Sequence, residues 1–476
     1  MNMKTMRHRT ATLASGLSDR PIVLLASLLL VVFLAFSLVN PFPTDDLFIY
    51  SLIGRAIYLR GLLPFDFVFD HKPVFTYYFY GLYTLIFPDV FPKFQLLTLL
   101  VYGLTALVVR SVSRQVSWKI LFLIIVGLSV RFMGFTANTQ LIFTPLALIS
   151  ILFILKPRGP LAMALAGALA ATAFNMNYTA AVVIGPAALY GFYSDPGTVS
   201  ARLEKLAIYT LGFAVGFGLI LLPMLAGGPD QIAHYFNAQR EFLKSYNKWE
   251  YQYVYSFMLT AGLMFGLAFA CRHCSPEHSR TRNAMWVMLV FSFASTIPAG
   301  KFYPYYLYVM VLPAVVLYSI STSRFKRPAV LLVMAAMGLI ALRPAIKDVS
   351  SGERIQAAYD LSEFRQLKAL VGEEKVLTIR AHPAIIYFGD IVPAQPLVWT
   401  NHAEFLYGDK EDDYFLGHLE KQPVFVMTMV NLCADQAGGK FYPKSCAVLA
   451  TEYSVVMKID HPYYWKSALV YRLKGS

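Results

Sequence analysis

Charge is what this chain has least of. Asp, Glu, Lys and Arg make up 14% of its 476 residues, against 57% hydrophobic residues, with aromatics at 15%. So small a charged share, with a positive mean hydropathy, excludes one soluble core that hides every apolar side chain. A polytopic membrane protein is implied. Acids are scarcer than bases, 28 against 41, for a formal charge of +13. No basic stripe with stacking aromatics accompanies the excess, so nucleic acid is not an expected partner. The surplus is of the kind that fixes cytoplasmic loops. There is no internal repeat, low-complexity tract, P-loop, GxGxxG after a strand or GxSxG elbow, which leaves cytosolic nucleotide chemistry without support. No small-residue cleavage site follows the apolar run Pro21 to Val39, although Lys4, Arg7, Arg9 and Arg20 precede it. An uncleaved first helix is therefore expected in place of a signal peptide.

What the chain does have is long apolar segments. A span needs roughly twenty mostly apolar residues, and eleven are expected, near 21–39, 94–110, 118–134, 139–155, 160–174, 178–194, 204–226, 254–271, 283–299, 304–321 and 327–344. The shorter run from Val74 to Phe87 reads as an interfacial or re-entrant helix. An odd number of crossings makes every second loop basic. Arg110, Arg114 and Lys119, then Lys156 and Arg158, Arg202 and Lys205, Arg272, Arg280 and Arg282, and Arg324, Lys326 and Arg327 obey that rule. The expected layout is a cytoplasmic tail 1–20, a transmembrane catalytic domain 21–344 with its first periplasmic loop at 40–93, and a periplasmic domain 345–476.

The last of these changes composition. Asp348 to Leu370 reads as helix, while VLTIR at Val376, AIIYF at Ala384, PVFVMTMV at Pro423, YSVVMKI at Tyr453 and ALVYRL at Ala468 read as strands. A small α/β or α+β domain is expected. Cys433 and Cys446 lie in it, where an oxidising compartment would permit a disulfide. Cys271 and Cys274 read as free thiols at a helix end, because CRHC has no second CxxC to complete a zinc set.

The residues that suggest chemistry gather on the outer face. Asp45 and Asp46 open the first loop, where they suit a helix N-terminus and equally a general base for a hydroxyl. Between them and Pro73, the aromatic and apolar residues suit a helix lying along the membrane surface. The loop closes on Asp70, His71, Lys72 and Pro73. An ammonium there can snorkel, or can stabilise charge developing on a departing phosphate. Lys301, Tyr303, Tyr305 and Tyr306 form a second cationic and phenolic cluster, which also reads as an interfacial belt. Asn175 and Asn177 at a helix end suggest a wet cavity. The loop bearing His234, Tyr235, Asn237, Arg240, Glu241, Lys244, Tyr246 and Trp249 suits a sugar or phosphate, or an amphipathic surface helix.

TDD after the first span, GLLPFDFVFDHKP from Gly61 to Pro73, and GKFYPYYLYVMVLP from Gly300 to Pro313 together resemble the GT-C fold glycosyltransferases that use lipid-linked sugars. The likeness is to the branch holding bacterial homologues of protein O-mannosyltransferases and the lipid A aminoarabinose transferases. It runs from about Pro21 to Pro313. The resemblance implies a multi-pass enzyme of the bacterial inner membrane with a polyprenyl-phosphate-linked sugar as donor, a periplasmic lipid, polysaccharide or protein as acceptor, and membrane lipid around it. It makes Asp45 the base, Asp46 its orienting partner, and Lys72, Lys301, Tyr303 and Arg55 ligands of the leaving phosphate, Arg55 being the arginine that such loops carry after the acids. Asp70, His71, Tyr305, Tyr306, Asn175 and Asn177 then belong to the substrate site. Gln140 stands where relatives often have an acid, so no metal site is assigned and no cofactor is predicted, with room left for a divalent cation. A lipid or polysaccharide transporter without glycosyl transfer is the alternative, and an accessory subunit acting through its tail is a second.

Overall fold

The computed structural model describes residues 19–39, 45–64, 68–87, 93–132, 137–156, 159–245, 251, 253–297, 302–349, 360–398, 402–429, 432–433, 442–460 and 467–476. The described residues are predominantly helical, with one five-stranded sheet among them. Two compact units divide the chain. One comprises Met1–Leu38, Phe94–Ile220 and Lys248–Ser350, and the other Val39–Lys93, Leu221–Asn247 and Ser351–Ser476.

The first unit is built of apolar helices. Lys93–Val112 and Val199–Leu225, with 20 and 27 residues, are the two described helices long and apolar enough to cross a membrane by length and composition. The helices Thr139–Leu155, Pro160–Met176, Thr179–Tyr193 and Val254–Ala270 are apolar but shorter, and their bounds fall within a few residues of expected segments. Polar clips close some helix ends. Arg280 donates to Ser194 Oγ and to the Leu155 carbonyl, both at 2.9 Å, and Lys205 pairs with Asp195 at 2.9 Å. Such links satisfy groups that a helix end leaves without an internal partner. Cys271 and Cys274 are free thiols.

In the second unit, two helices cross backbone to backbone. Asp45–Arg60 packs on Val74–Ile86 through Gly54 and Gly81. A Cβ on Gly54 would stand 2.2 Å from the Tyr77 carbonyl oxygen, and one on Gly81 would stand 2.5 Å from Gly54 Cα. Only glycine permits that approach. Leu47 to Gly54 are buried on every side, so the first half of this helix is enclosed and not laid along a surface as its aromatics suggested, while Tyr58 and Leu59 near its end are exposed. Tyr50 packs against Tyr80 at 5.3 Å, and Phe48 against Tyr387 at 5.7 Å.

The sheet has the order β2-β1-β3-β5-β4, with β1 Lys375–Ile379, β2 Val392–Pro393, β3 Phe425–Met429, β4 Tyr453–Ile459 and β5 Ala468–Leu473. β2, β1 and β3 are parallel and the other pairings antiparallel. β1 and β3 read as continuous apolar runs because parallel strands are buried on both faces. One expected strand is a helix. AIIYF lies in Pro383–Phe388, where Pro383 takes the first turn and His382 Nδ1 accepts from the Ala384 amide at 3.2 Å. A run buried on all sides has no period to separate the two forms, but the proline and the cap decide for helix. Cys433 and Cys446 form a disulfide that ties the chain before the Pro443–Glu452 helix to that helix.

Replacing both disulfide cysteines by serine is expected to cost about 2–4 kcal/mol, read as a lower thermal midpoint that reductant reproduces in the wild type. Gly54→Ala is expected to cost about 1–3 kcal/mol through overpacking. A melt indistinguishable from wild type would rule out so tight a crossing.

Candidate active site

Pro73 is the N-cap of the Val74–Ile86 helix and, with φ −62° and ψ 151°, turns the preceding residues away from the helix axis. Asp70, His71 and Lys72 are therefore presented as a short turn. His71 Nε2 lies 2.9 Å from Lys72 Nζ, and its Nδ1 lies 3.1 Å from Asp70 Oδ1. An ammonium has no acceptor to offer, so Nε2 must accept from it and the ring proton sits on Nδ1, facing the carboxylate. Tyr77, one turn into the helix, shares its hydroxyl proton between the Lys72 carbonyl at 2.9 Å and Asp70 Oδ2 at 3.2 Å.

The sheet-bearing part of the chain contributes His402, at the start of the His402–Tyr407 helix. Its Nε2 lies 3.8 Å from Asp70 Oδ1 and its Nδ1 lies 3.2 Å from the Phe69 carbonyl oxygen. The Phe69 amide in turn donates to the Pro396 carbonyl at 2.7 Å. Phe242, from the Pro229–Ser245 helix, stacks on His71 at 4.8 Å and meets His402 edge-on at 4.9 Å. Three separate stretches of the chain thus close around one carboxylate.

Burial alone would push the Asp70 carboxyl up, but His71, then His402 and Lys72, outweigh it and hold the group well below the usual carboxylate range. For His71 burial comes first and Lys72 adds to it, so the imidazole is pushed down despite Asp70. His402 is lowered by burial to about 3. The working state at neutral pH is an ionised Asp70 between two neutral imidazoles. One carboxylate and two neutral imidazoles are also ligands of a kind a divalent cation accepts. Asp70, His71 and His402, with ligand atoms within 4.8 Å of one another, are the group of described residues able to provide such a set.

Asp46, half-buried in the first turn of the Asp45–Arg60 helix, is near enough for its charge to act on His71 and on Tyr80. Asp45 begins the same helix, but its side chain, like Lys301, lies outside the described residues. Arg55 is on this helix with its guanidinium 5.1 Å from the centre of the Tyr387 ring. The second unit thus brings together Asp46, Asp70, His71 and Lys72.

Tyr303, Tyr305, Tyr306, Asn175 and Asn177 belong to the first unit. Tyr303 stacks on Tyr305 at 5.5 Å and packs on Tyr253 at 5.2 Å, while Tyr305 meets Tyr306 at 4.6 Å. Asn175 Nδ2 donates to the Ala171 carbonyl at 3.0 Å. Asn177 donates to Thr139 Oγ1 at 3.1 Å and accepts from the Thr179 amide at 3.0 Å. The Asn177 bonds join helix ends, whereas that of Asn175 lies within its own helix.

Sequence reasoning missed His402, Phe242 and Gln239. A lone histidine more than three hundred residues from Asp70 leaves no local signal. Gln239 and Phe242 did leave one, since Tyr235, Gln239 and Phe242 recur at steps of four and three, one face of a helix.

No protein-family model matches the chain, and no curated protein matches it. Its fold has solved counterparts. ArnT from Cupriavidus metallidurans bound to undecaprenyl phosphate superposes with a TM-score of 0.59 at 13% identity, covering 96% of this chain and 99% of that one. The same protein in its apo state gives 0.58 at 12% identity, over 96% and 98%. The mycobacterial arabinofuranosyltransferase AftD gives 0.49 at 12% identity, over 96% of this chain and 40% of that one. The chain thus shares the fold of the GT-C glycosyltransferases that use lipid-linked sugars, as its sequence resemblance implied.

Proposed function

We propose that this chain is an inverting glycosyltransferase of a bacterial inner membrane, which moves one sugar from a polyprenyl-phosphate carrier to a periplasmic lipid, polysaccharide or protein. The observation that carries the reading is the convergence of Asp46 with the Asp70, His71 and Lys72 turn. Chemically it puts anionic and cationic groups on one site. The ArnT structure of the same fold was solved with undecaprenyl phosphate, which supports a carrier of that class. About eleven spans, a cytoplasmic N-terminus and a periplasmic region 345–476 belong to the same proposal. The Cys433–Cys446 bridge favours that side, since disulfides persist in oxidising compartments.

In this scheme Asp45 takes the acceptor hydroxyl proton while Asp46 orients the pair. The acceptor oxygen attacks the anomeric carbon, and the bond from that carbon to the phosphate oxygen breaks with its electron pair leaving on the phosphate. Lys72 neutralises the charge that develops there, the role that the family resemblance also gives to Lys301 and Tyr303. Phosphate is already a competent leaving group, so position and electrostatics do most of the work. Asp70 and His71 hold Lys72 in place, Arg55 is proposed as a further ligand of the donor phosphate, and Tyr305, Tyr306, Asn175 and Asn177 are proposed as substrate-binding residues. A divalent cation would be held by Asp70, His71 and His402 only after His71 gives up the proton on the nitrogen facing Asp70.

The test is release of polyprenyl phosphate from labelled polyprenyl-phosphate sugars by purified protein. Asp45→Asn is expected to lower turnover by about 10²–10⁴-fold, and Lys72→Ala by about 10²–10³-fold, with folding intact in both. Full activity in Asp45→Asn would favour a transporter, which has no need of a base.

A further inference from the structure

The turn that carries Lys72 is pinned from a helix distant in sequence. Gln239, in Pro229–Ser245, is only 3% exposed, and its Nε2 donates to the carbonyl oxygens of both Asp70 and Lys72 at 3.2 Å. A primary amide nitrogen carries two hydrogens, so one side chain can serve both carbonyls at once. The Lys72 carbonyl is held further by the Tyr77 hydroxyl at 2.9 Å and approached by that of Tyr235 at 3.5 Å. Gln239 Oε1 is buried and has no hydrogen-bond partner among the described residues. Rotating the carboxamide would set that oxygen against two carbonyl oxygens, so the donated bonds fix its orientation. Phe242, three residues on along the same face, stacks on His71, the residue between the two pinned carbonyls.

We propose that Gln239 is a positioning residue for the polyprenyl-phosphate carrier and acts through Lys72. The inference rests on the reading of Lys72 as a phosphate ligand. Fixing the carbonyls on either side of His71 fixes the backbone from which the Lys72 side chain leaves. The flexible four-carbon stem then starts from one direction and has fewer conformers to lose when its ammonium meets the phosphate. His71, held flat against Phe242, steers the ammonium from its other end.

The experiment measures binding of undecaprenyl phosphate to the full-length protein in detergent, for wild type, K72A, Q239M, Q239E and the K72A/Q239M double variant, with a thermal melt of each. Q239M removes both donors at similar volume, and Q239E keeps the shape with one donor at most, since a carboxyl donates only when protonated. Each is expected to weaken binding about tenfold, and Q239M is expected to add nothing once Lys72 is gone, as residues acting as one unit are non-additive. A lower melting point with unchanged affinity in both Gln239 variants would make the residue merely structural and overturn the proposal. So would a Q239M loss that adds in full to that of K72A. Binding that survives K72A intact would instead remove the phosphate-ligand reading, and this inference with it.

Discussion

The second unit depends on two glycines that let two helices touch. Gly54 and Gly81 bring the backbones of Asp45–Arg60 and Val74–Ile86 so close that neither tolerates a Cβ. One helix begins with the paired acids, and the other begins just after Lys72. Their crossing therefore sets the separation between acid and cation, and side chains elsewhere can only refine it. Close packing of this kind is not continuously adjustable, because interiors are as dense as organic crystals.

Around that crossing, the energetics of Asp70 decide the rest. A carboxylate 3% exposed is expensive unless it is matched by partners. His71, His402 and Tyr77 supply them from two directions, and Lys72 reaches the carboxylate through His71. The arrangement leaves the lysine ammonium tethered to a neutral imidazole and not directly to the anion. A cation held that way keeps its charge available to a second anion, which a direct ion pair would largely have cancelled.

Much of this was legible in the sequence, and what was not has a physical cause. Asp46, Asp70, His71 and Lys72 announced themselves by being ionisable in an apolar chain, and the alternating or continuous apolar runs at Val376, Pro423, Tyr453 and Ala468 marked four of the strands. The run at Ala384 misled because a segment buried all round shows no period. The enclosure of the first half of the Asp45–Arg60 helix was hidden because Gly54 and Gly81 carry no side-chain pattern, and their pairing is known only once both helices exist. His402 could not have been assigned, since what brings it to Asp70 is the path of the chain through the sheet, down to the hydrogen bond between Phe69 and Pro396.

The central claim is that one turn, Asp70 to Lys72, receives the phosphate of a lipid carrier beside the acids of the neighbouring helix. An experimental structure of the full chain with undecaprenyl phosphate bound tests it most directly. Phosphate density is expected within hydrogen-bond distance of Lys72 Nζ, close enough to Asp46 for that carboxylate's charge to act there. Ordered phosphate density at any other place, with Lys72 still bonded to His71 alone, would contradict it.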